Sequence, residues 1–477
     1  MKIYSRWPLL LLLLTQVACK KFVQINPPIT SISSSQTYDN DLSAASAVTS
    51  IYEEMMRSNQ NTSGGSLLSI SCIGGLVADE FKNYQTSNAA LSQAYTNSLS
   101  STTGYVWGDI YKQIYIANAV LAGLDKSTGV SAAEKRQLIG EAKFMRAFQH
   151  FYGTNIFGGI PLVTTTNYQV NNVISRTPQP QVFRQIIADL KDAEGLLPDD
   201  FVTPTGGTVT TERVRPNKWA AASLLARAYL YTQAWDSAEA QATLVINNTN
   251  LFSLLTDMTG VFKMNSNEAI WQLQPVAPGY NTYDAYTFVL TGAPGSSRFP
   301  VALASTLINA FEPGDNRRVI WVDSITTGGK KYYFPYKYRA NTTSSNTAPV
   351  SEYLMILRLA EQYLIRAEAR AQQGNLQGAA ADINVIRQRA GLLPTSATSQ
   401  PDLLTAVYHE RQVELFTELG HRWFDLKRTG NVNAVMGSPG NVCQNKGGTW
   451  SSNWSLFPIP ASEIIINSNL AQNGGYY

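Results

Sequence analysis

Two stretches of this chain can be laid on one another without a gap: LLARAYLYTQAWDSAEAQATLVI, Leu224–Ile246, and IRAEARAQQGNLQGAAADINVIR, Ile365–Arg387. Ala228 then falls on Ala369, Trp235 on Leu376, Ala238 on Ala379 and Val245 on Ile386. Apolar residues at three- and four-residue steps predict a helix on each side of a short polar break. Alanines stand where the two helices of a pair must approach closely, and one larger apolar residue marks each turn. A chain that repeats such a unit is committed to helix-on-helix packing in those regions.

The unit is built like a tetratricopeptide pair, small at the crossing and larger at the turn. The same spacing also suits any two alanine-rich helices, and so few degenerate copies predict TPR-like pairs and not a regular solenoid. YVWGDIYKQIYIANAVLAGL places Val106, Ile110, Ile114, Ala117 and Leu121 on one helical face. AAEKRQLIGEAKFMRAFQHFYGTNIFGG does the same with Leu138, Ala142, Met145, Phe148 and Tyr152. VFRQIIADLKDAEGLLP and the run after Pro216 continue the pattern, proline being suited to a first helical turn. The expected fold is mostly α, with TPR-like helical pairs at about 102–250 and 351–420 in a single body over 41–477.

From about 250 to 350 the texture changes. QLQPVAPGYNTYDAYTFVLTGAPGSSRFP and ITTGGKKYYFPYKYRANTTSSNTAP are rich in Gly, Pro and Tyr and have no helical period. Long irregular inserts are as a rule functional or disordered, and disordered segments are poor in aromatic residues. This one is expected to be ordered, irregular and ligand-binding.

At the other end, Lys2 and Arg6 precede an apolar stretch that closes at Leu14, the charged and apolar regions of a secretory signal, too short to span a bilayer. Thr15-Gln16-Val17-Ala18-Cys19 follows. A small residue before a cysteine at that distance resembles a bacterial lipobox, although Gln16 stands where an aliphatic residue is usual. Residues 1–18 are then expected to be a lipoprotein signal and Cys19 the lipidated start of a tether over 19–40. An ordinary signal peptide with a cysteine nearby is the alternative. Past Cys19 no window approaches 18 apolar residues. Cys72 and Cys443 have no spacing that announces a bridge, and Cys72 in LLSISCIGGL reads as a buried small hydrophobe.

Charged residues make up only 15% of the chain and the formal net charge is +3, which leaves no electrostatic footprint for nucleic acid. A neutral ligand is expected ahead of a polyanion. The only basic run longer than two residues surrounds KKYYFPYKYR.

Enzyme readings fail on particular residues. His409-Glu410 begins like HExxH, but Val413 takes the second histidine position. His150, His409 and His421 are the only histidines and no CxxC occurs, so neither a metal set nor a cofactor is expected. Glu410, Glu414 and Glu418 lie at four-residue steps in YHERQVELFTELGHRWFDLKR, a predicted helix. Interleaved with Arg411, Arg422, Lys427 and Arg428, they read as a solvated or salt-bridged face. Asp79 and Glu80, between an apolar stretch and aromatics, are the better carboxylates, and a glycoside hydrolase using them is the enzymatic alternative. The expectation is a binding protein.

Sugars offer apolar C–H faces and a rim of hydroxyls, which suits tyrosine and tryptophan rings flanked by amides. The insert supplies Tyr280, Tyr283, Tyr286, Trp321, Tyr332, Tyr333, Tyr336 and Tyr338. The segment after Asp79 adds Phe81, Tyr84 and Tyr95 with Asn83 and Gln85. Asp79, Tyr84, Tyr280, Tyr283, Trp321 and Tyr336 are the candidate ligand-binding residues.

Several stretches together resemble the SusD/RagB family of Bacteroidetes outer-membrane lipoproteins. They include ADE at Ala78–Glu80, GEAKFMRAFQHFYGTNIFGGIPLV, NKWAAASLLARAYLY, FEPGDNRR and Tyr336–Tyr338. LRLAEQYLIRAEARA, INVIRQRAGL, ERQVELFTELGHRWFDLKR and LFPIPASEIIINSNLAQNGGY follow in the family's order. The resemblance implies a SusD-like helical fold with an irregular ligand face. It implies a lipid-anchored, surface-exposed protein of the outer membrane, partnered by a SusC-like TonB-dependent transporter. It also implies capture of oligosaccharides, or in some members peptides, without catalysis. The shared stretches are scaffold, so the candidate ligand residues rest on the aromatic argument and not on the resemblance.

Overall fold

Helices dominate the computed structural model, which describes residues 36–57, 69–277, 280–341, 349–437 and 441–476. Cys19, the signal and most of the tether lie outside these residues. The longer helices are α1 (Asp41–Met56), α2 (Ile70–Val77), α3 (Ala89–Tyr95), α4 (Trp107–Lys126), α5 (Ala132–Phe157) and α6 (Gln179–Leu196). After them come α7 (Lys218–Tyr231), α8 (Trp235–Ile246), α9 (Leu359–Gln372), α10 (Leu376–Arg389), α11 (Gln400–Glu414) and α12 (His421–Arg428). Polar caps start several of them: Asn217 Oδ1 accepts from the N–H groups of Trp219 and Ala220, and Ser131 Oγ from that of Glu134.

From α4 to α10 each helix packs on the next, and α8 packs on α9 across the whole intervening insert. The two repeated units are α7–α8 and α9–α10. Buried Ala226, Leu230, Ala238 and Ala242 of the first meet Ile365 and Ala369 of the second. Their turns are built alike. Gln233 and Gly374 hold the equivalent left-handed position, at φ 58° and 80°. The following amides close the helix in the same way, Ala234 N–H on Tyr229 O at 2.9 Å and Asn375 N–H on Arg370 O at 2.8 Å.

Short strands organise the insert: β1 (Phe81–Asn83), β2 (Ala269–Leu273), β3 (Val301–Leu303), β4 (Val322–Thr327), β5 (Lys330–Pro335) and β6 (Leu354–Arg358). β2 and β6 pair antiparallel and close the base of the excursion. β4 and β5 form a hairpin whose two turn residues, Gly328 and Gly329, both have positive φ, as a primed turn requires. β1 pairs with β3, which fastens the segment after α2 to the insert.

The predicted helix over Tyr408–Arg428 is interrupted. α11 ends at Glu414, and Thr417, Leu419 and Gly420 take left-handed φ before α12 begins. Lys337 supplies the reason, donating to the carbonyls of Glu414 and Phe416, both at 2.8 Å, and to the Glu418 carboxylate at 2.5 Å. Carbonyls that a continuing helix needs are thus taken by a buried ammonium. The glutamate face is salt-bridged, one of the two forms expected, but buried and not solvated: Glu410 and Glu414 share a face of α11, and Glu418 lies past its end. Arg358 reaches Glu414 at 2.6 Å and Glu418 at 2.8 Å, and Arg317 reaches Glu410 at 2.8 Å. Arg389 joins Glu268 at 2.7 Å and also contacts Glu414. Burial alone would raise the Glu414 carboxyl, but Arg389, Arg358 and Arg317 outweigh it and hold the group well below the usual carboxylate range. Cys72 and Cys443 are free thiols.

Candidate functional site

The site grows from the end of α2. The Lys446 ammonium donates to the carbonyl of Leu76 at 2.6 Å and to those of Val77 and Ala78, which caps the helix where its dipole is negative. Asp79 comes next, and this expected ligand residue proves to be committed to the fold. Arg422 of α12 donates to both of its carboxylate oxygens at 2.8 Å, and the side chain is buried. Glu80 is buried beside it and accepts from Thr417 N–H at 3.2 Å. Burial, and then the Asp79 charge, push the Glu80 carboxyl up to about 8. The ADE motif is a clamp that ties α2 to the loop and helix around Leu415–Arg428.

Strand β1 then aims alternate residues in and out. Phe81 turns inward against Phe288, with ring centroids 4.9 Å apart, while Lys82 stays exposed. Beyond the strand, Tyr84 N–H and Gln85 N–H both donate to Pro300 O, at 2.9 and 3.2 Å. This fixes Tyr84 against the insert, where it meets Tyr332 of β5 edge to face at 5.5 Å. Lys82 Nζ lies 5.6 Å from the Tyr84 ring. Lys330 Nζ lies 5.5 Å from Tyr84 and 5.2 Å from Tyr332. A cavity of about 240 Å³ adjoins Lys82, lined also by Asp79, Phe81, Tyr95, Thr306 and Lys446.

The insert holds a second aromatic group. Tyr280 and Tyr283 stack at 5.7 Å, and Tyr286 meets Tyr280 edge-on at 5.5 Å. Arg298, two residues before the proline that holds Tyr84, lies 4.7 Å from the Tyr286 ring and 4.9 Å from that of Phe299. Its Nη2 donates to Asn341 Oδ1 at 2.8 Å, while its Nε is buried with no partner among the described residues.

Of the expected residues, the structure brings Tyr84 to Tyr332 and Tyr280 to Tyr283. Tyr336 lies apart, half-buried under Arg339 at 4.9 Å. Trp321 is misplaced by the aromatic argument: it is 1% exposed, and its indole N–H donates to Met258 O at 3.0 Å within the ionic core. No external sugar reaches that ring. Tyr338 is buried as well, its hydroxyl accepting from Met355 N–H at 2.8 Å. Lys82, Lys330 and Arg298 were not anticipated at all. KKYYFPYKYR is the visible signal for Lys330, and no local pattern announces Lys82 or Arg298.

Several other concavities occur among the described residues, two of them mostly apolar. One of about 370 Å³ holds Tyr52 and Arg215, but both already bond Glu141. The other, about 280 Å³, is lined by Trp107, Tyr111, Tyr115, Tyr168, Glu463 and Ile466, and exposed Val173 and Ile465 lie near it. No helix among the described residues is long and apolar enough to cross a membrane.

Comparison with known proteins gives matches over most of this framework. A sequence profile described as the SusD family matches residues 322–476, and one described as starch-binding associating with outer membrane matches 30–230. The SusD-like protein P2 of Formosa agariphila is 28% identical over 423 residues, covering 78% of this chain and 80% of that protein. A SusD superfamily protein from Bacteroides vulgatus superimposes with TM-score 0.77 at 20% identity, over 91% of this chain and 99% of the other. A laminarin binding SusD-like protein does so with TM-score 0.75 at 24% identity, over 92% and 100%.

Proposed function

Because the chain belongs to the SusD family, we propose that it captures oligosaccharides at the surface of the outer membrane and passes them to a SusC-like TonB-dependent transporter. One observation carries the reading. Tyr84 and Tyr332, from segments far apart in sequence, are brought edge to face at 5.5 Å and left half-buried, and Lys82, whose ammonium lies 5.6 Å from the Tyr84 ring, lines a cavity. A ring in that state offers an apolar surface with a polar tip to a ligand. The stacked Tyr280 and Tyr283 extend the same chemistry. The laminarin-binding relative supports a glycan in preference to a peptide. Binding without catalysis is supported by Asp79 and Glu80, whose carboxylates are spent on Arg422 and Thr417.

Titration of the protein with laminari-, malto- and xylo-oligosaccharides and with a mixed peptide pool tests this. Saturable glycan binding that weakens about tenfold or more in Tyr84→Ala or Tyr332→Ala is expected. Binding of the peptide pool alone, or of nothing, overturns it. Two further parts of the reading have their own tests. Lipidation at Cys19 predicts that Cys19→Ala leaves the membrane fraction in cells lacking the transporter. The partnership is supported by the exposed apolar rim of Tyr115, Tyr168, Ile465 and Ile466, a surface of the kind that partners cover. Co-purification with the transporter, weakened by Ile465→Ser and Ile466→Ser, is the expected result.

A further inference from the structure

Aromatic rings on this face rarely stand alone; cations rest on them. Lys82 and Lys330 lie over Tyr84 and Tyr332, and Arg298 over Tyr286. On the opposite side of the hairpin, Arg318 lies 4.6 Å and Lys331 5.2 Å from the Tyr333 ring. None of Lys82, Arg298, Arg318, Lys330 and Lys331 enters an ion pair among the described residues, whereas Arg146, Arg215, Arg227, Arg317, Arg358, Arg387 and Arg422 all do.

The nearby carboxylates do not offset these charges. Asp79 is neutralised by Arg422, and Glu80 is buried behind it. Strand alternation places Asp323 on the same side of the hairpin as Tyr332 and Lys330. At 3.3 Å per residue it sits about 7 Å along β4 from Ile325, the partner of Tyr332, and about 13 Å from Thr327, the partner of Lys330. It is one carboxylate against two ammonium groups that lie closer to the rings. Next to the Tyr84–Tyr332 pair the field is therefore positive. A neutral sugar needs acceptors for its hydroxyls as much as donors, and this rim is rich in donors. An anionic ligand uses all of them, and it gains Coulomb energy from each cation without displacing an internal partner.

We propose that the ligand of this face is an anionic glycan, one whose sugar rings stack on Tyr84 and Tyr332 while its carboxylate or sulfate groups meet Lys82, Lys330 and Arg298. The proposal rests on the glycan-binding reading above and narrows its substrate class. It reverses the expectation of a neutral ligand, which came from a net charge of +3 averaged over the whole chain. The average conceals a segregation: most buried arginines of the body are paired with carboxylates, whereas Lys82, Lys330 and Arg298 meet none among the described residues.

The test compares three probes of equal length on the full protein: an oligogalacturonate, a sulfated oligosaccharide and a neutral oligoglucan. The expected result is binding of at least one anionic probe about tenfold tighter than the neutral one at low salt, with the preference falling steeply as salt is raised. Uronate and sulfate sources are told apart by which probe leads. Lys82→Gln with Lys330→Gln removes the preference, a remote Lys126→Gln leaves it intact, and Tyr84→Ala weakens every probe. Equal or tighter binding of the neutral probe, still lost in Tyr84→Ala, overturns the charge assignment and leaves the glycan reading standing. Anion binding that survives Tyr84→Ala unchanged is plain polyelectrolyte attraction and overturns the proposal. No binding of any probe overturns both readings.

Discussion

Around Trp321, the cations Lys337, Arg358 and Arg389 each meet a carboxylate; around Tyr84 and Tyr332, Lys82 and Lys330 meet none among the described residues. The first region is sealed from water and the second is open to it. An unpaired charge in a sealed region costs several kcal/mol, so every buried cation there has been matched. In water an unmatched ammonium costs little, so the open region can carry cations that no described carboxylate matches. The same residue types are structural in one place and available in the other. Burial makes the difference, and residue identity does not.

Acid should break the sealed region first and most completely. Glu414, Glu418 and Asp425 are all held below the usual carboxylate range by arginines or lysine that outweigh their burial. Groups depressed in this way contribute stability that is full above their unfolded values, about 4.3 for Glu and 3.9 for Asp, and is lost as pH falls further. Glu80 has the opposite sign. Raised from 4.5 to about 8, its contribution declines as pH climbs through that interval. Urea midpoints across pH 3 to 9 should show a steep acid limb, while above pH 7 the Glu80 loss is opposed by Lys337, Lys427 and Lys446, whose ammonium groups burial lowers to about 8, 7 and 7. A flat acid limb would mean that the network is solvated after all.

Removing one member of the network is the next largest effect. Glu414→Ala leaves Arg317, Arg358 and Arg389 each short of one buried partner and should cost about 3–5 kcal/mol in urea unfolding. Should the alanine variant fail to accumulate, Glu414→Gln keeps the shape and reports the charge alone. A loss below about 1 kcal/mol would place Glu414 with the exposed pairs, whose removal is nearly silent.

Asp79 sharpens the contrast, because it lines the ligand-side cavity and yet belongs to the sealed region. Asp79→Asn should cost about 2–4 kcal/mol by leaving Arg422 without its partner. Glycan affinity, measured on the folded fraction, should hardly move. A variant of normal stability and lost affinity would return Asp79 to the ligand-binding set.

How much of this was legible in the sequence follows the range of each interaction. The α7–α8 and α9–α10 pairs were readable because their contacts repeat at helical spacing, and even the turns agree, with Gln233 at the position Gly374 fills. Asp79 was misread because its partner Arg422 lies 343 residues away, and no local pattern announces such a pair. Trp321 was misread because aromatic density does not distinguish an exposed ring from a buried one. Val319-Ile320-Trp321-Val322 is an apolar run, but it is one of several in the insert and marks no single ring as buried. The break after Glu414 was illegible, since four-residue spacing of Glu410, Glu414 and Glu418 fits one helix well, and only Lys337 from the insert explains why it stops.

The smallest effect discriminates best between the two regions. Lys82→Gln and Lys330→Gln remove cations that contact only exposed or half-buried rings, an interaction worth about 0.5–1 kcal/mol at such sites and partly replaced by water. No buried carboxylate is orphaned, so the double variant should unfold within about 1 kcal/mol of the parent, with an unchanged dependence on denaturant. Were these lysines holding the hairpin against β1, the loss would instead approach that of Glu414→Ala, and removing the cations would separate Tyr84 from Tyr332. Stability that stays put while ligand preference changes is the signature of charge kept for a partner, and it can be read on one pair of proteins.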